Sequence, residues 1–531
     1  MEENKRKKLV MTLWVLLTII VCSMYVGKCS KGRQELVVDN HKWNKLLLVL
    51  EQIEKNYVDS IDYEAVVEKV IPHLMENLDP HSVYLPPVEL EAADESLEGN
   101  FSGIGIQFNV PADTAVVISV IGGGPSEKAG LLSGDRIIEV DGKVVAGVKM
   151  DQDSLVRRLK GPRGSKVHLK VKRDNLQELL SFEITRDMIP VKSVDVSMML
   201  DEKLGYVKLS KFSKTSYREF MTSMIPLVAQ GVEALVFDLR DNTGGYLDQA
   251  LLLSKEFLEK DEAIVYMEGL HRERQEFKAD GSGLLKDIRL YVLVNENSAS
   301  SSEIFAGAIQ DNDRGTIVGR RSYGKGLVQE PIYFTDKSGI RLTVARFYTP
   351  TGRCIQKPYS EDYRLDILER YRHGEMVSAD SIKKVDSLKY ITPGGKVVYG
   401  GGGIIPDVFV PIDTVGVTDF LIAANRKSLI VKYSNVLADK YRTQLREIRT
   451  LADLRSLIAG IDLEGGFLAY ARQNGVVARG NEWNESKDIV IKQLSGLLGR
   501  YSVLDDNAFY PYIVEIDNVV EKVKELEKEN R

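Results

Sequence analysis

Cysteine is scarce in this sequence, which holds three cysteines in 531 residues. Cys22 and Cys29 lie in or just after an apolar N-terminal segment, and Cys354 lies far downstream. Neither a disulfide framework nor a zinc site of paired CxxC motifs can be built from them. The histidines and carboxylates show no metal-ligand spacing either, so the sequence predicts no metal site and no cofactor.

Basic tracts are missing beyond the first ten residues, and the formal net charge is −6. A nucleic-acid partner is therefore not expected, because nucleic acids select strongly basic surfaces. The composition, with 44% hydrophobic and 28% charged residues, is typical of soluble globular proteins. The length is enough for about three or four domains.

Residues 1–30 differ from the rest of the chain. Four basic residues at positions 5–8 precede an apolar run from Leu9 to Val26, whose length is near the lower limit for a membrane span. We predict an uncleaved inner-membrane anchor in the cell envelope, with the following residues on the exported, periplasmic side, because positive charges stay in the cytoplasm. A cleaved signal peptide is the alternative. Cys29 suggests lipidation, but Lys28 occupies the position where that cleavage site needs a small residue.

Two modules are predicted before residue 190. Apolar residues recur at helical spacing from Trp43 to about Leu90, which predicts a helical N-terminal region over residues 40–98. The helical pattern ends at LDPHSVYLPP, because the prolines of this stretch cannot continue a helix. We interpret His81 in this stretch as a turn residue. Over residues 99–188, short β-branched runs separated by glycine turns predict a β-rich module.

The β-rich module resembles a PDZ domain, through SGIGI at positions 102–106 and PSEKAGLLSGDRIIEVDG at positions 125–142. Gly103 and Gly105 allow backbone N–H groups to converge on the terminal carboxylate of a peptide. The strand that follows adds the peptide to the sheet edge. The predicted peptide-binding residues are therefore Gly103, Ile104, Gly105 and Ile106.

Strands and helices alternate over residues 191–415, which predicts an α/β core and makes the chain a multidomain α/β protein. Functional sites of such sheets gather at the carboxyl ends of strands. Two of these ends are FDLRDNTGG, where Gly244 and Gly245 allow close approach of the backbone to a ligand, and VNENSAS. After residue 416 the pattern is helical to the end, and the charged last helix is interpreted as a solvated or subunit-contacting face.

A serine cluster, Ser298 to Ser302, falls on the turn between the predicted strand IRLYVLV and a helix. The serines could simply cap that helix. One of them could instead be a nucleophile, because the free backbone N–H groups of a helix start can donate to a developing oxyanion.

A serine nucleophile needs a base, and none of the six histidines lies in either strand-end loop. This argues against a Ser-His-Asp triad and favours lysine. Lys325, between two glycines in YGKGLVQ, is the candidate, although a single lysine is most often a solvated surface charge. To act as a base it must be neutral, which requires burial or a neighbouring cation.

The segment SASSSEIFAGAIQDNDRGTIVG, followed by YGKGLVQ, closely resembles the active-site signature of the carboxyl-terminal processing peptidases, or tail-specific proteases. The resemblance implies that Ser300 is the nucleophile, Lys325 the base and Gln329 the residue that orients the lysine. DLRDNTGG resembles the family loop that donates one oxyanion N–H, near Gly244 and Gly245, and the backbone of Ser301 would donate the second. Many relatives have alanine in place of Ser301 and proline in place of Thr243.

The resemblance spans about residues 40–415 and implies a serine endopeptidase. Together with the predicted anchor, it predicts that this endopeptidase is membrane-tethered and exported. Its PDZ domain would recognise the carboxyl-terminal tails of substrate proteins and gate the protease, with Lys160 or Arg163 as the residue that props the active form. Helical segments at both ends of the core leave room for a homodimer, as in the family, and an adaptor protein is a further expected partner. The alternative is a PDZ-mediated scaffold or adaptor whose peptidase core is catalytically dispensable.

Overall fold

The structure, a computed structural model, describes residues 44–110, 113–173, 176–359 and 363–530. The predicted anchor over residues 1–30 lies outside these ranges. Of the helices within the described ranges, none combines the length and the apolar composition needed to cross a membrane. The chain divides into two compact units, residues 1–71 and 72–531.

In its described part, residues 44–98, the region predicted as helical over residues 40–98 contains three helices and one strand. Its elements are α1 (Asn44–Asn56), α2 (Tyr63–Glu76), β1 (Val83–Leu85) and α3 (Pro87–Glu98). The strand forms because β1 pairs with a strand far downstream, so Val83 aligns with Arg341 and Leu85 with Gly339. Helix α3 begins directly afterwards at Pro87, a position where proline costs no hydrogen bond.

The described residues of the PDZ-like module form a small antiparallel sheet with two helices around its own core. Its elements are β2 (Asn100–Gly103), β3 (Ile106–Asn109), β4 (Ala115–Val120), α4 (Pro125–Ala129), β5 (Arg136–Val140), β6 (Lys143–Val144), α5 (Gln152–Leu159), β7 (Lys166–Lys172), β8 (Leu180–Thr185) and β9 (Asp187–Pro190). The sheet order is β3-β4-β5-β7-β8, which leaves β3 at an edge, while β2 and β9 pair separately. Buried Val117, Ile137 and Leu169 belong to its core.

The described residues of the α/β core form two large sheets and one separate two-stranded pair. Its elements are β10 (Val194–Met199), β11 (Leu204–Leu209), α6 (Ser216–Ala229), β12 (Ala234–Asp238), α7 (Leu247–Lys255), β13 (Ala263–Gly269), β14 (Arg272–Lys278), β15 (Arg289–Val294), α8 (Ser301–Asp311), β16 (Thr316–Gly319), β17 (Leu327–Tyr333), β18 (Gly339–Tyr348), α9 (Asp366–Arg372), β19 (Lys389–Ile391), β20 (Val397–Tyr399) and β21 (Val408–Phe409). The central sheet has the order β10-β11-β12-β15-β16-β21, and the second sheet joins β1, β18, β13 and β14, with β17 paired to β18.

The central sheet is parallel from β11 to β21, and only β10 runs antiparallel to its neighbour within it. Strand β12 is buried at every position, as expected of a central parallel strand. Asp238, the last residue of β12, lies in register with Leu293, near the end of β15. The loops that follow these two strands therefore begin side by side.

The C-terminal helical region has a hydrophobic core of its own. Its helices are α10 (Asp419–Arg426), α11 (Leu429–Lys440), α12 (Arg442–Glu447), α13 (Leu451–Ala459), α14 (Leu463–Gln473), α15 (Glu482–Gly499), α16 (Asp506–Ile513) and α17 (Asn518–Asn530). The prediction of a helical C-terminus is confirmed. The interpretation of the last helix as a solvated or subunit-contacting face is wrong in part, because Val519, Val520 and Val523 of α17 pack against the central sheet.

Candidate active site

The loops after β12 and β15 are joined by hydrogen bonds. The carbonyl of Asn242 accepts from the N–H of Ala299 at 3.0 Å. The Asn242 side chain is buried and donates to the carbonyl of Leu209 at 2.9 Å. Asp241, which has a positive φ of 64°, accepts from the side-chain amides of Asn295 and Asn297 at 2.9 Å each. The two strand ends that the sequence singles out therefore form one structure.

Three of the four serines in the predicted cluster donate hydrogen bonds to the loop after β12. The hydroxyls of Ser298, Ser301 and Ser302 donate to the carbonyls of Leu239, Gly245 and Asn242 at 2.8, 2.9 and 2.8 Å. Within the described residues, the hydroxyl of Ser300 donates to no protein group. It lies instead at the wall of a large cleft.

Ser300 has an unusual backbone conformation, with φ 55° and ψ −114°. A non-glycine residue held in such a sparsely populated region is strained by roughly 1–3 kcal/mol, and such strain clusters at functional sites. Ser300 also occupies the N-terminal cap of α8, where Glu303 completes a capping box. Capping and a role in chemistry are therefore compatible at this residue.

The cleft beside Ser300 has a volume of about 1130 Å³ and also contains Lys325 and Gln329. Its polar wall includes Asp241 and Arg341. Its apolar lining comes from the second sheet and from helices α7 and α8, and includes Leu247, Leu251, Val265, Met267, Phe277, Ile304, Leu327 and Phe347. The cleft therefore offers an apolar surface next to a serine and a lysine.

Lys325 is half-buried and held by Gln329. Its Nζ donates to Oε1 of Gln329 at 2.8 Å, and Nε2 of Gln329 donates in turn to the carbonyl of His81 at 2.6 Å. Burial lowers the pKa of Lys325, and the positive charge of Arg341 lowers it further. Among the described residues, Nζ of Lys325 and Oγ of Ser300 line the same cleft without a direct hydrogen bond between them.

Glu303 is a buried residue that the sequence analysis did not single out. Its Oε2 accepts from the N–H of Ser300 and from the N–H of Lys325, both at 2.9 Å. Its Oε1 accepts from the hydroxyl of Ser322 and from the N–H of Gly324 at 2.7 Å. Burial raises the pKa of Glu303, although these four donors favour the carboxylate. One oxygen atom thus fixes the backbone of Ser300 relative to that of Lys325.

His81 is more than the turn residue that the sequence predicted. Its ring nitrogen Nε2 lies 2.6 Å from the hydroxyl of Tyr363, which also accepts from the side-chain amide of Gln356 at 3.1 Å. Oε1 of Gln356 accepts from the N–H of Gly326, next to Lys325, at 2.9 Å. Burial and the charge of Lys325 lower the pKa of His81 to about 4, so its ring is neutral at pH 7. In the sequence, the proline-rich stretch LDPHSVYLPP could have drawn attention to His81.

Of the N–H groups predicted as oxyanion donors, one is already bonded within the protein. The N–H of Gly244 donates to Oδ1 of Asn242 at 2.9 Å, so it is not available to a substrate. Within the described part of the chain, the N–H groups of Gly245 and Ser301 donate no hydrogen bond. Gly244 has a φ of 100°, and a Cβ there would lie 2.9 Å from the backbone nitrogen of Ser301. The pair of N–H groups therefore belongs to Gly245 and Ser301, and Gly244 provides the close approach.

The predicted peptide-binding residues lie apart from this cleft. Gly103 ends β2, Ile106 begins β3, and Ile104 and Gly105 form the turn between them, where Gly105 has a φ of 75°. The carbonyls of Ile104 and Gly105 accept from Ser126 and Ile121, which ties the turn to the module. None of the four residues lines the cleft that contains Ser300.

The two basic residues proposed to prop the active form have different partners. Lys160 lies at the end of α5, and its Nζ donates to Glu95 of α3 at 2.6 Å. Arg163 donates to Asp187 at 2.7 Å, within the PDZ-like module and at its surface. Asp94, which precedes Glu95 on α3, lines the cleft. Lys160 is therefore bonded to a helix that forms part of the cleft wall.

Residues 203–365 match the family model described as peptidase family S41, and residues 102–184 match the PDZ domain model. The chain is 34% identical over 312 residues to the carboxy-terminal-processing protease of Bartonella bacilliformis, covering 58% of this chain and 71% of that one. It is 31% identical over 358 residues to the carboxy-terminal processing protease CtpA of Bacillus subtilis, covering 66% and 76%. A solved photosystem II D1 C-terminal processing protease is 26% identical, with a TM-score of 0.39 over 71% of this chain and 88% of that one.

Proposed function

We propose, from the premise that this chain belongs to the carboxy-terminal processing serine proteases of peptidase family S41, that it cleaves proteins through a Ser300–Lys325 dyad. The observation that carries the proposal is the arrangement of the serine cluster. Three hydroxyls are committed to backbone carbonyls, while that of Ser300 donates to no protein group of the described residues and borders the cleft of Lys325.

In the proposed reaction, neutral Lys325 removes the hydroxyl proton of Ser300 as the oxygen attacks the scissile carbonyl. Lys325 then gives this proton to the leaving amine, which leaves an acyl-enzyme. A water molecule loses a proton to Lys325 and attacks the ester, and the proton returns to Ser300 as the carboxylic acid product departs. The hydrogen bond from Lys325 to Gln329 orients the lysine through both steps.

The N–H groups of Gly245 and Ser301 are the proposed donors to the oxyanion. Donors of this kind stabilise the negative charge that develops in the transition state, and one donor is typically worth about 3 kcal/mol. The apolar lining of the cleft favours a substrate with an apolar side chain near the scissile bond. Substrate proteins would be selected by their carboxyl-terminal tails at Gly103 to Ile106, where β3 offers an unpaired sheet edge.

The first test is cleavage of an unfolded protein that carries an apolar tail. We expect Ser300→Ala and Lys325→Ala to abolish cleavage, because each removes one half of the dyad. Ser282→Ala is the matched control, because its side chain is exposed and lies outside the cleft, and it should retain most of the activity. Unchanged rates in both dyad variants would refute the enzyme mechanism.

The second test uses pH, because only the neutral form of Lys325 can act as a base. The pKa of Lys325 is lowered, so the rate should rise with pH around a midpoint below the usual lysine value of about 10.4. Arg341→Gln removes a positive charge that lowers this pKa, so the midpoint should move to higher pH. Arg346→Gln, at an exposed position of the same strand, should leave the midpoint in place. A midpoint that does not move in Arg341→Gln would contradict the role of Lys325 as base.

The proposal also places the enzyme in the cell envelope, tethered by residues 1–30 with the catalytic part exported. The basic residues at positions 5–8 and the apolar run from Leu9 to Val26 support it. In fractionated cells we expect the full chain in the membrane fraction and its catalytic part accessible to protease added to the exported side. Recovery in the cytoplasm would contradict this part of the proposal.

A further inference from the structure

The C-terminal helical region lies beyond both family-model matches, which end before residue 366. In the structure it contacts the two modules that those models cover. On one side it meets the loop after β12, and on the other it meets the PDZ-like module. The two contacts involve different helices of the same region.

Asp517 makes the contact with the α/β core. Its carboxylate accepts from Nη1 and Nη2 of Arg240 at 3.0 and 2.6 Å. Arg240 also binds Asp238, which is fully buried at the end of β12 and accepts from the hydroxyl of Tyr206 at 2.6 Å. The arginine is therefore held between the carboxylate at the end of β12 and one supplied by the C-terminal region.

The ion pair of Arg240 with Asp517 lies at the start of the loop that carries the proposed oxyanion donor Gly245. Arg240 begins the segment that continues through Asn242 to Gly245, which we name the oxyanion loop (residues 240–245). Oδ1 of Asn242 accepts from the N–H of Gly244 at 2.9 Å. Gly245, the next residue, supplies one of the two free N–H groups. A shift of Arg240 would therefore move groups that must lie within hydrogen-bonding distance of the substrate carbonyl.

Helices α11 and α12 make the contact with the PDZ-like module. Asp439 forms an ion pair with Arg136, at the start of β5. Arg442 donates to the carbonyl of Gly134 at 3.2 Å, and Arg446 donates to that of Ser133 at 3.2 Å. A Cβ at Gly134 would lie 2.4 Å from Cζ of Arg442, so the two surfaces fit closely.

One hydrophobic core connects the two contacts. It includes Leu437 of α11 and Leu445 of α12, next to the PDZ-like module. It also includes Leu494 of α15 and Tyr512 of α16, five residues before Asp517. Packed cores shift as units rather than deforming continuously, so a displacement at α11 and α12 can reach Asp517.

We propose that Asp517 is a positioning residue for the reaction, and that the C-terminal helical region couples the oxyanion loop to the PDZ-like module through Asp517, Asp439 and Arg442. Tail binding would thereby act on the geometry of the oxyanion loop. The catalytic part of this inference rests on the proposed function. The coupling itself is a structural property that can be measured without any substrate.

The first variant is Asp517→Asn, since asparagine caps a helix as well as aspartate does but loses the charge that faces Arg240. We expect kcat for a tailed substrate to fall about tenfold, with KM changed less than twofold, and amide exchange over residues 240–245 to increase. Asp462→Asn, at the cap of α14, makes the same change away from the core and should alter neither quantity. A lowered melting temperature with unchanged kcat and exchange would show that Asp517 is merely structural.

The coupling is tested from the other side with Arg442→Gln, and with Asp439→Asn as a milder second variant. Both residues lie at the contact with the PDZ-like module, yet both variants should increase amide exchange over residues 240–245 in the folded, substrate-free chain. Arg472→Ala, at an exposed position of α14, should not. Increased exchange confined to residues 133–136 would overturn the coupling. If the wild-type chain cleaves nothing, the proposed function fails, while the exchange data still decide the coupling.

Discussion

The carboxylate of Glu303 is the shared anchor of the two proposed catalytic residues. One of its oxygens accepts from the backbones of both Ser300 and Lys325, and the other accepts from Ser322 and Gly324. A carboxylate suits this site because both oxygens accept and neither donates. An amide in the same place would turn one end into a donor that faces two other donors.

We therefore expect Glu303→Gln to lower kcat/KM by about 100-fold, because a small misplacement of catalytic groups has an effect of that size. The free energy of unfolding should fall by about 3 kcal/mol, since two hydrogen bonds to a buried charged group are lost. Glu273→Gln, at an exposed position of β14, is the matched control. Wild-type kinetics in Glu303→Gln would show that Ser300 and Lys325 are positioned by other contacts.

Some contacts of the site residues could be predicted from the sequence and others could not. Ser300, Lys325 and Gln329 were predicted because their motif is contiguous over a short stretch. The contribution of His81 comes from a carbonyl and a ring brought to the lysine from a distant segment. Such contacts leave no local pattern, because they exist only once the chain has folded.

At the scale of elements, the decisive feature is the meeting of the loops after β12 and β15. Parallel neighbouring strands carry their carboxyl ends to the same edge, and the register of Asp238 with Leu293 aligns those ends. Gly245 then approaches the chain at Phe212 so closely that its own Cβ would lie 2.1 Å from the carbonyl oxygen there. Its φ of 145° is also a conformation that glycine adopts most readily.

We expect Gly245→Ala to lower kcat by about 100-fold to 1000-fold, because the loop must move and withdraw one oxyanion donor. Gly231→Ala is the control, at a glycine with φ 82° and open space around its Cβ position. That change should cost about 1 to 2 kcal/mol of stability through backbone strain and leave kcat unchanged. A Gly245→Ala enzyme with normal kcat would exclude this N–H as an oxyanion donor.

The elements themselves were largely predictable. Strands β12 and β15 were foreseen as the strands that end at FDLRDNTGG and VNENSAS, and α8 as the helix that follows the serine cluster. Strand β1 was not foreseen within the region predicted as helical, because three residues carry little pattern. Its conformation depends on pairing with β18, which is remote in the sequence.

At the scale of the whole molecule, α17 closes the second face of the central sheet. Val519, Val520 and Val523 pack against the sheet, and the carboxylate of Glu527 is buried against Arg289 and Tyr291. The charged sequence VEKVKELEKEN predicted a solvated or subunit-contacting helix, so its packing against the sheet was not foreseen. Four positions of one face were enough to make the helix part of the core.

We expect Val523→Ala to lower the free energy of unfolding by about 2 kcal/mol, because the fully buried side chain loses apolar contacts and leaves a cavity. Val503→Ala, at a valine that is 69% exposed, should change it by less than about 0.5 kcal/mol. Equal effects of the two changes, measured by denaturant unfolding, would show that α17 does not pack on the sheet in solution.

The sequence by itself determined the α/β class, the PDZ domain and the peptidase family, and it predicted the dyad, because each depends on contiguous motifs or on local periodicity. Only the tertiary structure decided that Gly245 rather than Gly244 carries the free N–H, that Glu303 and His81 hold the site, and that the C-terminal region contacts both other modules. These features depend on which distant groups exchange hydrogen bonds after the chain has packed, and such pairings have no signature along the chain.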